Sequence, residues 1–102
     1  MTLTHFSHPG GILKRQFLAE YDLSVSAASK AMGIPRTRLN DIVRGKRGIT
    51  PETALRLGRL FGNGAAFWIN LQTRYDLTLA EVKQRKALQK IHPLAGIVWA
   101  GA

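Results

Sequence analysis

Apolar residues return every three or four positions along this chain, and prolines and glycines cut the pattern into short segments, which predicts helices and no strand alternation. After His8-Pro9-Gly10-Gly11, Leu13, Phe17 and Tyr21 recur at four-residue steps with Leu18 beside them, while Lys14, Arg15 and Glu20 fall elsewhere; this is a first amphipathic helix. Ser24 or Ser26 can cap a second, with Val25, Ala28, Ser29 and Met32 on one face and Gly33 as its stop. Pro35 suits the start of a third helix with Leu39, Ile42 and Val43 turned inward, ended by Arg44-Gly45. Thr50-Pro51-Glu52 supplies an N-cap, a first-turn proline and an acid at the positive end of a fourth, whose inward face is Ala54, Leu57, Gly58 and Phe61.

Gly62-Asn63-Gly64 breaks that helix, and Phe67, Trp68, Leu71 and Tyr75 then mark a fifth that carries more aromatic area than its length requires. With Ile69, these residues form the expected dimer interface, an apolar face paired with its own copy. Thr78-x-x-Glu81 has the form of a capping box, so a sixth helix is expected to start there, with Leu79, Val82 and Leu88 as its larger apolar residues among Lys83, Arg85, Lys86 and Lys90. Residues 93–102 read as a separate apolar tail. The expected fold is therefore all-α, a single compact domain of five to six helices over residues 1–92, with a short N-terminal arm and a basic last helix.

Length and composition agree with one domain: 102 residues, 45% apolar, with a mean hydropathy of −0.07. The absence of cysteine removes disulfides, thiol nucleophiles and thiolate metal sites. No run approaches the roughly 18 apolar residues of a membrane span, and the first residues lack the layout of a secretion signal, so a cytoplasmic protein without membrane contact is expected. Charge changes the picture most. Fifteen Lys and Arg against six Asp and Glu leave a net +9 and a pI near 11.0, which favours a polyanionic partner, nucleic acid above all.

The position of the charge is informative. VSAASKAMGIPRTRLNDIVRG has the spacing of a helix-turn-helix, in which a second helix enters the major groove of B-DNA. From Lys30 to Arg59 there are eight basic residues and two acidic ones, Asp41 and Glu52. Once Leu39 and Ile42 are committed to packing, Arg36, Thr37, Arg38, Asn40 and Asp41 remain outward. Arg can fork onto guanine, Asn can pair with adenine, and the Thr methyl can meet thymine. Arg44, Lys46 and Arg47 follow where a sugar-phosphate backbone would pass. For Asp41 a plainer role is open, neutralising Arg38 or Arg44, and Arg56 and Arg59 read as a solvated face.

The segments HPGGILKRQFL and LSVSAASKAMGIPRTRLNDIVRGKRGITPETALRLGRLFGNGAAFWINLQTRYDL closely resemble the HigA-type antitoxins, or addiction-module antidote proteins, of the XRE (phage-repressor-like) helix-turn-helix family. The likeness runs from about His8 to Leu77. It implies a five-helix DNA-binding protein that dimerises, represses its own toxin–antitoxin operon and neutralises a HigB-type ribonuclease toxin; a dimer paired through the fifth helix would set two recognition helices on one side of the DNA and read an inverted-repeat operator. It also implies base reading by Arg36, Thr37 and Asp41, and phosphate contact near Arg38, Arg44 and Lys46. Val25 stands where the family usually has a Gln that clamps the DNA backbone, so either Ser24, Ser26 or backbone amides take over that contact or the affinity is lower. Residues 2–11 and the outer faces of the first and last helices are the candidate toxin contacts.

Other functions have thinner support. His5, His8 and His92 lack the partners of a metal or catalytic site, so neither an enzyme nor a cofactor is expected. A stand-alone repressor with no toxin, and an interaction module with an incidental basic patch, are both compatible with the residues alone.

Overall fold

Leu13, Leu39, Ile42, Leu57 and Trp68, drawn from four helical segments, are fully enclosed around one core, so each predicted apolar stripe down to that point faces a common centre. The structure is a computed structural model and describes residues 8–95. Its order is α1 (Pro9–Ile12), a π-helical continuation (Leu13–Leu18), α2 (Val25–Met32), α3 (Arg36–Val43), α4 (Pro51–Phe61), α5 (Ala65–Lys83) and α6 (Arg85–Gln89). The described residues contain no strand, in keeping with the all-α expectation.

The first helix begins earlier and winds wider than its apolar spacing suggests. His8 Nδ1 accepts from the Gly10 N–H at 2.9 Å and caps α1 at Pro9. The following turns widen, as in the Ala19 N–H bond to the Lys14 carbonyl at 3.0 Å. That i→i+5 winding sets Leu18 over Leu13, so both are buried, whereas α-helical winding would turn them well apart. Tyr21 is left largely exposed, tilted against Phe61. Gly10 lies against the Ile42 carbonyl at the end of α3, where a β-carbon would overlap backbone, so α1 and α3 meet main chain to main chain.

Thr50 caps α4, its Oγ1 accepting from the Thr53 N–H at 3.3 Å. Gly58 allows α4 to approach the backbone of Gly64 and Ala65, which brings α5 back across the core. Here the sequence expectation is corrected. Thr78-x-x-Glu81 is not a helix start, because α5 runs unbroken from Ala65 to Lys83 and Thr78 lies inside it. A capping box needs the residue before the helix in extended geometry. The turns before Thr78 are instead held helical by Leu71 and Tyr75, which pack on the body. The break comes at Gln84, and α6 is only five residues long.

Trp68 is the second correction. It was expected in a dimer interface, but it is 0% exposed, walled by Phe17, Phe61 and Phe67, and its indole N–H donates to Asn63 Oδ1 at 3.0 Å. The indole is the largest side chain of the core, and no face of it remains for a partner. Ile69 and Leu71 are also partly buried against the core, and Phe67 sits edge-on to Phe17 and Trp68.

The candidate nucleic-acid interface

Helices α2 and α3 are short because both ends of each are specified. Ser24, not Ser26, caps α2: its Oγ accepts from the Ala27 N–H at 3.0 Å. Gly33 ends α2 at φ 70°, a conformation glycine adopts at little cost, and the Ile34 N–H closes the turn on the Ser29 carbonyl at 3.1 Å. Pro35, extended at ψ 141°, starts α3 with no amide donor lost. Inside the unit, Ala28 and Ser29 are buried where the two helices meet, and the Ser29 hydroxyl is satisfied by the Ser26 carbonyl at 2.9 Å.

With Leu39 and Ile42 in the core, α3 turns the opposite side outward. Arg36 and Thr37 are exposed, and Asn40 and Asp41 are half-buried beside them. Arg44, Lys46 and Arg47 are exposed on the turn that leaves the helix, where Gly45 takes φ 78° and the Lys46 N–H bonds the Asp41 carbonyl at 2.8 Å. Ser24 and Ser26 are exposed at the start of α2, while Val25 turns inward and packs on the core. Arg38 sits on the flank of α3, with Nη1 3.7 Å from Glu52 of α4. Both ion pairs among the described residues use Glu52, the second with Arg56 at 3.4 Å, so Asp41 has not been spent on neutralising Arg38 or Arg44.

Two supporting residues were not legible beforehand. Arg56, read as solvated, donates Nη1 to the Met32 carbonyl at 2.7 Å and so ties α4 to the end of α2 just before the turn. Gln72 of α5 accepts from the Ile49 N–H at 2.8 Å and donates to Asp76 Oδ1 at 3.0 Å. The signal for Gln72 was a polar residue near the helical phase of Trp68 and Tyr75, where burial demands a partner. His8 stacks edge-on against Tyr75 with ring centroids 5.0 Å apart. Burial pushes its imidazole below the usual value of 6.5, against an opposing pull from the Asp76 carboxylate.

A short helix, a glycine turn and a second helix with an outward basic and amide face define a helix-turn-helix protein of the DNA-binding class. Comparison with known proteins narrows the class. The helix-turn-helix family model matches residues 13–68. Virulence-associated protein I of Dichelobacter nodosus is 47% identical over 88 residues, covering 86% of this chain and 81% of the relative. The structure of the Pseudomonas aeruginosa antitoxin HigA with the higBA promoter superposes with a TM-score of 0.82 at 44% identity, covering 86% of this chain and 97% of that one. An addiction module antidote protein of the HigA family from Coxiella burnetii does so at 0.80 and 37% identity, covering 86% and 97%.

The chain belongs to the XRE-type helix-turn-helix family, among the HigA antitoxins. That family consists of binding proteins and not of enzymes. The imidazole of His8 is engaged in a cap and His92 is exposed after the last described helix, while His5 lies outside the described residues. No described helix is long and apolar enough to cross a membrane.

Proposed function

We propose that this protein is a cytoplasmic DNA-binding antitoxin that represses its own operon and neutralises a HigB-type ribonuclease toxin. The observation that carries the proposal is the outward face of α3, with its basic turn, on a fold shared with an antitoxin solved with its promoter. Arg36, Thr37, Asn40 and Asp41 are the base readers: a guanidinium fork, a methyl and hydroxyl, an amide and a carboxylate discriminate among base edges in the major groove. Ser24, Ser26, Arg38, Arg44, Lys46 and Arg47 hold the sugar-phosphate backbone on either side. Residues 1–92 act as one module and 93–102 as its tail. The toxin-contact candidates at residues 2–7 lie outside the described residues.

Reading an inverted repeat requires two copies. The apolar surface available for pairing includes the overhang of α5, with Leu79 and Val82 each 42% exposed, and Phe67 at 39%, but not Trp68. Leu79 and Val82 follow Trp68 and Tyr75 at steps of seven, four and three, so they continue the inward face beyond the edge of the body. Two bodies joined there would present their α3 helices to half-sites about 34 to 36 Å apart.

The test is Arg36→Ala on a duplex carrying the chain's own promoter. Specific binding is expected to weaken by about 1 to 3 kcal/mol with relaxed sequence preference, because one forked base contact is lost. A footprint unchanged in strength and sequence overturns the docking. For the toxin, co-expression with the product of the adjacent gene should yield a stable complex and restore growth. No complex and no rescue would assign the protein as a stand-alone repressor.

A further inference from the structure

The turn that leaves α3 carries Arg44, Lys46 and Arg47 within four residues, all exposed, and has no apolar anchor of its own before Ile49. Mutual repulsion of three cations favours a splayed loop, yet this one is held from outside at both ends. At its far end, the Ile49 N–H donates to Gln72 Oε1 at 2.8 Å. The Gln72 amide lies across Gly48, where a β-carbon would come within 3.0 to 3.2 Å of it, and its Nε2 donates to Asp76 Oδ1 at 3.0 Å. At the near end the His8 ring lies against Gly45, about 3.8 Å from where a β-carbon would be, while its edge meets Tyr75. Gln72 and Asp76 belong to α5, and Tyr75 of the same helix backs the His8 ring, so α5 holds the loop directly at its far end and only through His8 at its near end.

We infer that Gln72, oriented by Asp76, is a positioning residue for DNA binding: it sets the height at which Lys46 and Arg47 meet the phosphate backbone without touching DNA itself. This rests on the DNA-binding reading above and adds to it the residue that shapes its electrostatic contact. Since α5 also carries the overhang proposed to pair two copies, the helix that spaces the half-sites is the helix that sets each loop.

The experiment is a salt titration of binding to the promoter duplex and to a random duplex of equal length, with the wild type, Gln72→Met, and Gln72→Glu combined with Asp76→Asn. Methionine keeps the length and removes both hydrogen bonds. In the double variant the carboxylate at 72 accepts from the Ile49 N–H and from the amide at 76, so both bonds return with the second reversed in direction. For Gln72→Met, affinity should fall about tenfold for both duplexes, and the slope of log affinity against log salt should flatten by about one to two, since each lost phosphate contact removes about 0.9. The double variant should restore both. A merely structural role would lower affinity through the folded fraction and leave the slope unchanged. An unchanged slope for Gln72→Met, or no recovery in the double variant, overturns the inference. Absence of wild-type binding to either duplex would instead remove the DNA-binding reading, and the role of Gln72 with it.

Discussion

The two halves of α5 share one apolar period and meet opposite surroundings. From Ala65 to Tyr75 the stripe ends in a buried indole, three phenylalanine rings and the His8–Tyr75 contact. From Asp76 to Lys83 it runs out over solvent, with Leu77 59% exposed and Leu79 and Val82 at 42%. The described chain is 54 Å long and only 26 by 23 Å across, an elongation in keeping with that overhang. Helical periodicity states which residues share a face, while burial depends on whether another element reaches that face. The first half of α5 therefore contributes to folding. The second half is the surface proposed above for pairing two copies.

Trp68→Ala tests the first half most severely. Emptying a fully enclosed aromatic site should cost about 3 to 5 kcal/mol, a large share of the roughly 5 to 15 kcal/mol that holds a small domain folded. Denaturant unfolding measures it directly. A variant that kept full stability and lost only self-association would return Trp68 to the interface and erase the difference between the halves.

Leu79→Glu with Val82→Glu tests the second half. Being surface positions of the single chain, they should shift unfolding by no more than about 0.5 kcal/mol each. Sedimentation should nevertheless show a monomer, and operator affinity should fall by about tenfold or more as the second half-site is lost. Loss of folding in this pair would place the overhang in the core after all.

The smallest expected effect lies where the two halves meet. His8 packs on Tyr75, feels Asp76, and must keep Nδ1 unprotonated to accept from Gly10. Its value in the fold is lowered, so the unfolded chain takes up protons first as the medium acidifies. The stability contributed is fully present above the unfolded value of 6.5 and is lost as pH falls from there towards the lower folded value. Wild type should therefore melt at a lower temperature at about pH 5.5 than at about pH 7.5, and His8→Asn, a capping residue that does not titrate, should show a smaller difference. An equal drop in both proteins would remove His8 as the source.

What the sequence determined by itself is the part of this protein governed by rules acting within a turn or two. Ser24 or Ser26, Gly33, Pro35 and Thr50-Pro51 mark the ends of α2, α3 and α4, because caps, positive φ and a missing amide proton are local matters; the structure chose Ser24. Leu39 and Ile42 then orient α3, and the cluster of cations around it marks the candidate DNA-binding face. Tertiary structure decided what depends on the reach of neighbours. The body ends near Tyr75, so Trp68 is core, Val82 is surface, and Thr78 stays inside a helix its own motif could have started. Arg56 meets the Met32 carbonyl and Gln72 the Ile49 amide across more than twenty residues of chain. Such bonds form where packing of the helices brings the two groups within reach, and no local pattern encodes which distant groups that packing brings together.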